Sequence, residues 1–242
     1  MTVRPTGSTL LTDTMLPFLR AQVWSRPELD DRDRRWVTLS CAAAAGTAGP
    51  LREEVAAALT GGAITPAELG EFALQFAVHC GWPVASVLDE VVRAESAAFA
   101  PGGSGQPGGG AGPAPDRSGE TFETVMGPGI DLPDSPYLRV GVAGFVFAQV
   151  WSRPGLGLRD RRLIAIIGSA LAGPVMPLRS HLAGALAAGE LDEAQLRALA
   201  LLLACHAGLP LGELVDGLVD EIVDETVGSS AAGDPVAPRS VR

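Results

Sequence analysis

The chain has 242 residues, 47% of them apolar but only 5% aromatic, and a formal charge of −10. A balance this acidic argues against nucleic acid and anionic membrane as partners. All 18 basic residues are arginines, and with no lysine amine, Schiff-base chemistry is excluded.

Ala and Leu dominate the apolar set, which favours helices. Residues 1–12 are polar and should be loose. A first helix is expected from about Thr14 to Trp24, stopped by Pro27. The second should begin at Asp30 or Asp31, both good N-caps, and turn Val37, Leu39, Ala42 and Ala43 inward until Gly46. A third is expected after Pro50, ending at Gly61-Gly62.

Thr65-Pro66-Ala67-Glu68 is a capping box with proline at the first helical position. It opens a fourth helix whose Leu69, Phe72, Ala73, Phe76 and Ala77 form a core stripe, broken by Gly81. A fifth follows from about Pro83 to Ala97. Pro101–Gly119 is mostly Gly, Pro, Ser and Ala and reads as a flexible linker. Residues 120–137 read as an irregular approach, interrupted by Pro128, Pro133 and Pro136.

The chain then repeats itself. Gln22-Val23-Trp24-Ser25-Arg26-Pro27 recurs as Gln149-Val150-Trp151-Ser152-Arg153-Pro154, and 11 of the 14 positions in 22–35 are identical in 149–162. The register holds without a gap: His79 falls on His206, Gly81 on Gly208 and Pro83 on Pro210. This is a duplicated domain. The second copy should carry helices at about 138–152, 158–172, 176–188, 193–207 and 211–226. The expected organisation is a first domain at 13–99, a linker at 100–119, a second domain at 120–227 and a disordered tail at 228–242.

Cys41, Cys80 and Cys205 form no CxxC pair and sit in apolar surroundings, as buried free thiols in a reducing compartment would. With no signal-peptide pattern and no bilayer-length apolar run, a cytoplasmic location is expected.

Trp-Ser-Arg-Pro-Gly-Leu at 151–156, then Arg159-Asp160-Arg161, a His-led helix ending at Gly189 and Gly208-Leu209-Pro210 resemble the carboxymuconolactone decarboxylase family, part of the wider alkylhydroperoxidase-D-like group. The resemblance implies an all-α fold: two tandem helical bundles forming a pseudo-dimer. It also implies a homo-oligomer in which a homotrimer builds a six-domain ring. The peroxidase branch of that group uses Glu, two Cys and His at the spacing E-x11-C-x2-C-x3-H. The second copy holds Arg162, Pro174, Pro177 and His181 there, and the first holds Arg35, Thr47, Pro50 and Glu54. Neither copy keeps a cysteine nucleophile, so thiol peroxidase activity ranks last. At the decarboxylase branch's glutamate stands Gln149 (and Gln22), and at its tyrosine stands His206 (and His79).

His181, His206 and His79 are therefore the candidate catalytic residues, His181 foremost, because imidazole exchanges protons near working pH; for His79 and His206 the rival reading is a capping or core histidine bonded to a helix-end carbonyl. Arg153 and Arg26 are candidate forks for a substrate carboxylate, with a salt bridge that fixes the following loop as the rival reading. Trp151, Trp24, Gln149, Glu54 and Trp82 complete the candidate substrate-binding set, with core packing as the rival reading for Trp151 and Trp24; Trp82 has Leu209 as counterpart and should serve the first copy alone. No metal-ligand spacing accompanies the histidines, so neither metal nor other cofactor is expected. The function expected is a cofactor-free lyase, decarboxylase or isomerase/cyclase-like enzyme acting on a small carboxylated, lactone or polyketide-like molecule, with a role in specialised metabolism. The alternative is a catalytically degenerate tandem that binds a ligand or partner.

Overall fold

The computed structural model describes residues 9–99, 118–126 and 134–231, which form helices joined by short turns, with no strand among them. In the first copy, α1 (Leu10–Phe18) runs into a π-helical segment (Leu19–Trp24), followed by α2 (Asp31–Ala44), α3 (Ala48–Thr60), α4 (Pro66–Cys80) and α5 (Trp82–Phe99). After α6 (Ser118–Met126) the second copy has a π-helical segment (Tyr137–Trp151), then α7 (Leu158–Ala172), α8 (Val175–Ala187), α9 (Glu193–Ala207) and α10 (Leu209–Ala231). Both π segments end on the tryptophan of the repeat.

The expected caps are present. Thr65 and Glu68 bond reciprocally at the start of α4, and Asp192 and Gln195 do the same for α9. Gly81 (φ 85°) and Gly208 (φ 105°) end these helices in a conformation that L side chains rarely adopt, leaving His79 and His206 in the last turns.

Four boundaries differ from expectation. The first helix starts at Leu10, because Thr9 and Thr12 form a capping box. α3 starts at Ala48, since Pro50 sits in its first turn, where no intrahelical N–H bond is lost. Residues 118–126 are helical rather than irregular, and α10 continues through Gly228 to Ala231. Of the expected linker at 100–119, residues 118 and 119 belong to α6 and 100–117 lie outside the described residues; of the expected tail at 228–242, residues 228–231 belong to α10 and 232–242 lie outside them.

The two copies share one core. Trp36, Leu39, Phe72 and Phe76 from the first belong to the same apolar cluster as Ile164, Ile167, Leu199 and Leu203 from the second. α2 packs on α7 at the pseudo-twofold, α4 on α7, and α9 on α2. Matching ion pairs stitch this contact. Arg32 donates to Asp160 (2.9 Å) and the Ala63 carbonyl (2.7 Å), while Arg159 donates to Asp33 (2.6 and 2.8 Å) and the Glu190 carbonyl (3.0 Å). Pairs this enclosed fix orientation more reliably than they add stability.

The symmetry breaks at one carboxylate. Arg153 grips Glu71 of the first copy through Nε (2.7 and 2.9 Å), and Arg161 donates to it at 2.9 Å. Gly155 makes room: a Cβ there would lie 2.4 Å from Glu71 Cγ. At the corresponding places the first copy's loop has Glu28 and the second copy's α9 has Ala198, so Arg26 pairs with Glu28 of its own loop (2.6 Å).

Candidate functional site

The contact between α4 of the first copy and α7 of the second places a group of polar side chains beside the core. His181, on α8, is only 7% exposed. The Trp151 ring stacks on it at 5.8 Å and 14°, and the edge of His79 approaches from the other copy at 5.7 Å. Arg162, from α7, faces His181 Nδ1 at 3.5 Å, lies 5.6 Å over Trp151, and is neutralised by Glu190 at 2.8 Å. Gly184 admits the arginine, since a Cβ there would lie 2.9 Å from its Nη1. Ser169 Oγ holds His79 Nδ1 at 3.1 Å.

Burial sets the protonation states. It pulls His181 down to about 3, helped by His79 and Arg162, and pulls His79 down to about 4. Both rings are therefore neutral at pH 7. A guanidinium can only donate, so facing it favours the lone pair on His181 Nδ1 and the ring proton on Nε2. Two polar atoms here, His79 Nε2 and Glu190 Oε1, are shut from solvent without a hydrogen-bond partner.

α6 packs on the second π-helical segment and on α8 beside this group. Phe122 packs edge-on to Phe147 (4.9 Å), which stacks on Trp151 (6.2 Å), so an aromatic ladder leads to the imidazole.

A pseudo-symmetric group lies at the other contact, where Trp24, Arg35, Glu54 and His206 occupy the places of Trp151, Arg162, His181 and His79. Arg35 is 6.0 Å over Trp24 and donates to Glu54 at 3.3 Å. Thus His181 and His79 come together with Trp151, and His206 joins Glu54 and Trp24.

The remaining candidates are placed otherwise. Arg153 is occupied by Glu71, and Arg26 is 45% exposed and paired with Glu28; the salt-bridge reading describes both, although the partner of Arg153 lies across the copies. Gln149 is exposed and bonds the Gly144 carbonyl at 3.3 Å. Trp82, expected to shape a site, is 81% exposed, because the start of α5 turns it outward as the start of α10 turns Leu209. Sequence reasoning passed over Arg162, Arg35, Ser169 and Glu190. The spacing that set Arg162 in register with His181 was a usable signal for the first; packing across the copies brings in the others.

The cysteines are partly rather than fully buried, and burial pushes Cys41 up to about 12 and Cys80 up to about 11, so neither is a thiolate at neutral pH. Among the described residues no three His, Cys, Asp or Glu gather as metal ligands, and no helix is long and apolar enough to cross a membrane.

Fold and site together define a tandem all-helical pseudo-dimer with a composite polar site at each contact between its copies. The Carboxymuconolactone decarboxylase family sequence model matches residues 10–94 and 137–211, and the chain belongs to that family. No match was found among curated proteins.

Proposed function

We propose that this protein is a cofactor-free lyase, a decarboxylase or an isomerase-like enzyme, acting on a small carboxylated, lactone or polyketide-like molecule, with His181 as its acid/base group. One observation carries the reading: a buried imidazole held between Trp151 and His79, with the Arg162 guanidinium at its Nδ1.

Arg162 takes the anchoring role expected of Arg153 or Arg26. Its Nε is engaged with Glu190, which leaves its Nη atoms to face the imidazole and a substrate carboxylate. Removal of that carboxylate from water favours loss of carbon dioxide, because its charge spreads as the carbon–carbon bond breaks and the electron pair passes into an enolate. An anion beside His181 raises the affinity of the ring for a proton. The ring takes the carboxyl proton of the bound acid and, as carbon dioxide leaves, delivers it to the enolate carbon, regenerating the neutral imidazole. His79, fixed by Ser169, bounds the ring from the other copy, so neither repeat makes this site alone.

The test is turnover of simple β-keto acids and carboxylated lactones by the full chain. His181→Gln should lower kcat/KM by about 10²–10⁴-fold at an unchanged melting temperature, as loss of a general acid/base does. Retention of full turnover by that variant refutes the reading, and binding without turnover by the unaltered chain favours the degenerate-tandem alternative.

A further inference from the structure

We propose that the contact of α2 with α9 is a second site of different chemistry, where Glu54 is the base that removes a proton alpha to the carbonyl of a small neutral compound. The charge inventory points there first. The group around Trp151 and the group around Trp24 each hold one arginine and one carboxylate, but the carboxylate has changed place. Beside Arg162 it is Glu190, on the wall, with imidazole at position 181. Beside Arg35, Ala63 stands where Glu190 would be, and the carboxylate is Glu54, at the place of the imidazole. The group facing the Trp24 side of this site is therefore an anion. It repels carboxylates and suits a neutral, enolisable ketone or lactone.

The second observation is a pair of buried polar atoms left without partners. Trp24 Nε1 and His206 Nε2 are both shut from solvent and have no hydrogen-bond partner. Indole N–H can only donate, and His206, which burial keeps largely neutral while Glu54 favours its protonated form, can carry its proton on Nε2. Two donors beside a carboxylate are what enolisation needs: hydrogen bonds to the carbonyl oxygen and a base at the adjacent C–H. The C–H proton passes to Glu54, the electron pair becomes the enolate held by the two N–H groups, and Glu54 returns the proton to the same or a conjugated carbon. No electron leaves the system.

The third is room. In the other contact Gly168 lets α4 come close, for a Cβ at 168 would lie 2.8 Å from His79 Cβ. Cys41 stands at the matching place on α2, and Ala42 replaces the Ser169 hydroxyl that holds His79. α9 accordingly packs on α2 less extensively than α4 packs on α7.

Exchange of the α′ protons of 2-cyclohexen-1-one in deuterium oxide, followed by proton NMR with the full chain, tests the inference. The protein should accelerate exchange over buffer, and Glu54→Gln, which keeps an acceptor for Arg35, should slow it about 100-fold or more. Trp24→Phe should raise the ketone concentration giving half-maximal exchange. Exchange no faster than in buffer, or undiminished in a Glu54→Gln protein that melts normally, overturns the inference. So does exchange abolished by His181→Gln, which would assign it to the other contact; loss of decarboxylation alone in that variant leaves this site standing.

Discussion

Replacing Glu71 by Ala should be among the most damaging single changes in the molecule. Glu71 is buried and accepts from Arg153 at 2.7 and 2.9 Å and from Arg161 at 2.9 Å. Burial alone would raise its pKa, but these two hydrogen-bonded cations outweigh that and hold it below the usual carboxylate value. Its removal leaves Arg161, 1% exposed, with only the Gln75 side chain and the Arg153 carbonyl as partners. Stranding a buried charge in this way costs about 3–5 kcal/mol. For a chain of this size that is a fall in Tm of about 6–20 °C. Asp31, which pairs with the pseudo-equivalent Arg34, supplies an internal control: its side chain is 87% exposed, so Asp31→Ala should cost at most about 1 kcal/mol. Urea and thermal unfolding at pH 7 measure both, and adding Arg161→Met to the Glu71 variant should recover much of the loss. A Glu71→Ala cost within 1 kcal/mol of the Asp31→Ala cost would refute the reasoning.

Stability should fall as the pH drops from about 6.5 toward 4. His79 and His181, held at about 4 and about 3, stay neutral when folded but take up protons when unfolded below about 6.5. The unfolded chain then binds more protons, and each ring contributes about 1.4 kcal/mol of lost stability per pH unit across that window. Unfolding curves for His181→Gln should show a shallower slope. Gly168→Ala should cost about 1–3 kcal/mol by forcing His79 away, and should lower turnover more than Gly46→Ala, a change at a positive-φ glycine with nothing near it. The exposed apolar residues Leu10 and Tyr137 occupy matching places in the two copies, as do Phe18 and Phe145. They would suit the contacts of a three-chain ring, and light scattering should then give a mass three times 24.8 kDa, whereas a monomer mass excludes it.

The helices were legible because local chemistry marks them: the Thr65–Glu68 box, Asp30 and Asp192 as caps, and Gly81 and Gly208 as stops. The helix at 118–126 was missed because three nearby prolines dominated the reading, although all lie beyond its end and Phe122 and Val125 keep helical spacing. His181 was singled out through the family resemblance, in which it falls on the histidine place. Its neighbours His79 and Ser169 were not, as a pair: they lie 90 residues apart, and nothing in a one-dimensional pattern says that α4 of one copy meets α7 of the other. The same holds for Glu71 and Gly155. Their exchange with Glu28 and Ala198 has meaning only once Arg153 is seen to reach across.

The central claim is that His181 is a neutral imidazole locked between the two copies, bare at Nδ1 and protonated at Nε2. Long-range nitrogen–proton NMR of the three histidines, titrated from pH 8 to 4.5 and assigned with His181→Gln, tests it most directly. The account predicts a neutral Nε2–H pattern for His181 that persists through the titration and changes when His79 is replaced. A ring that titrates near 6.5, or that carries its proton on Nδ1, would contradict it.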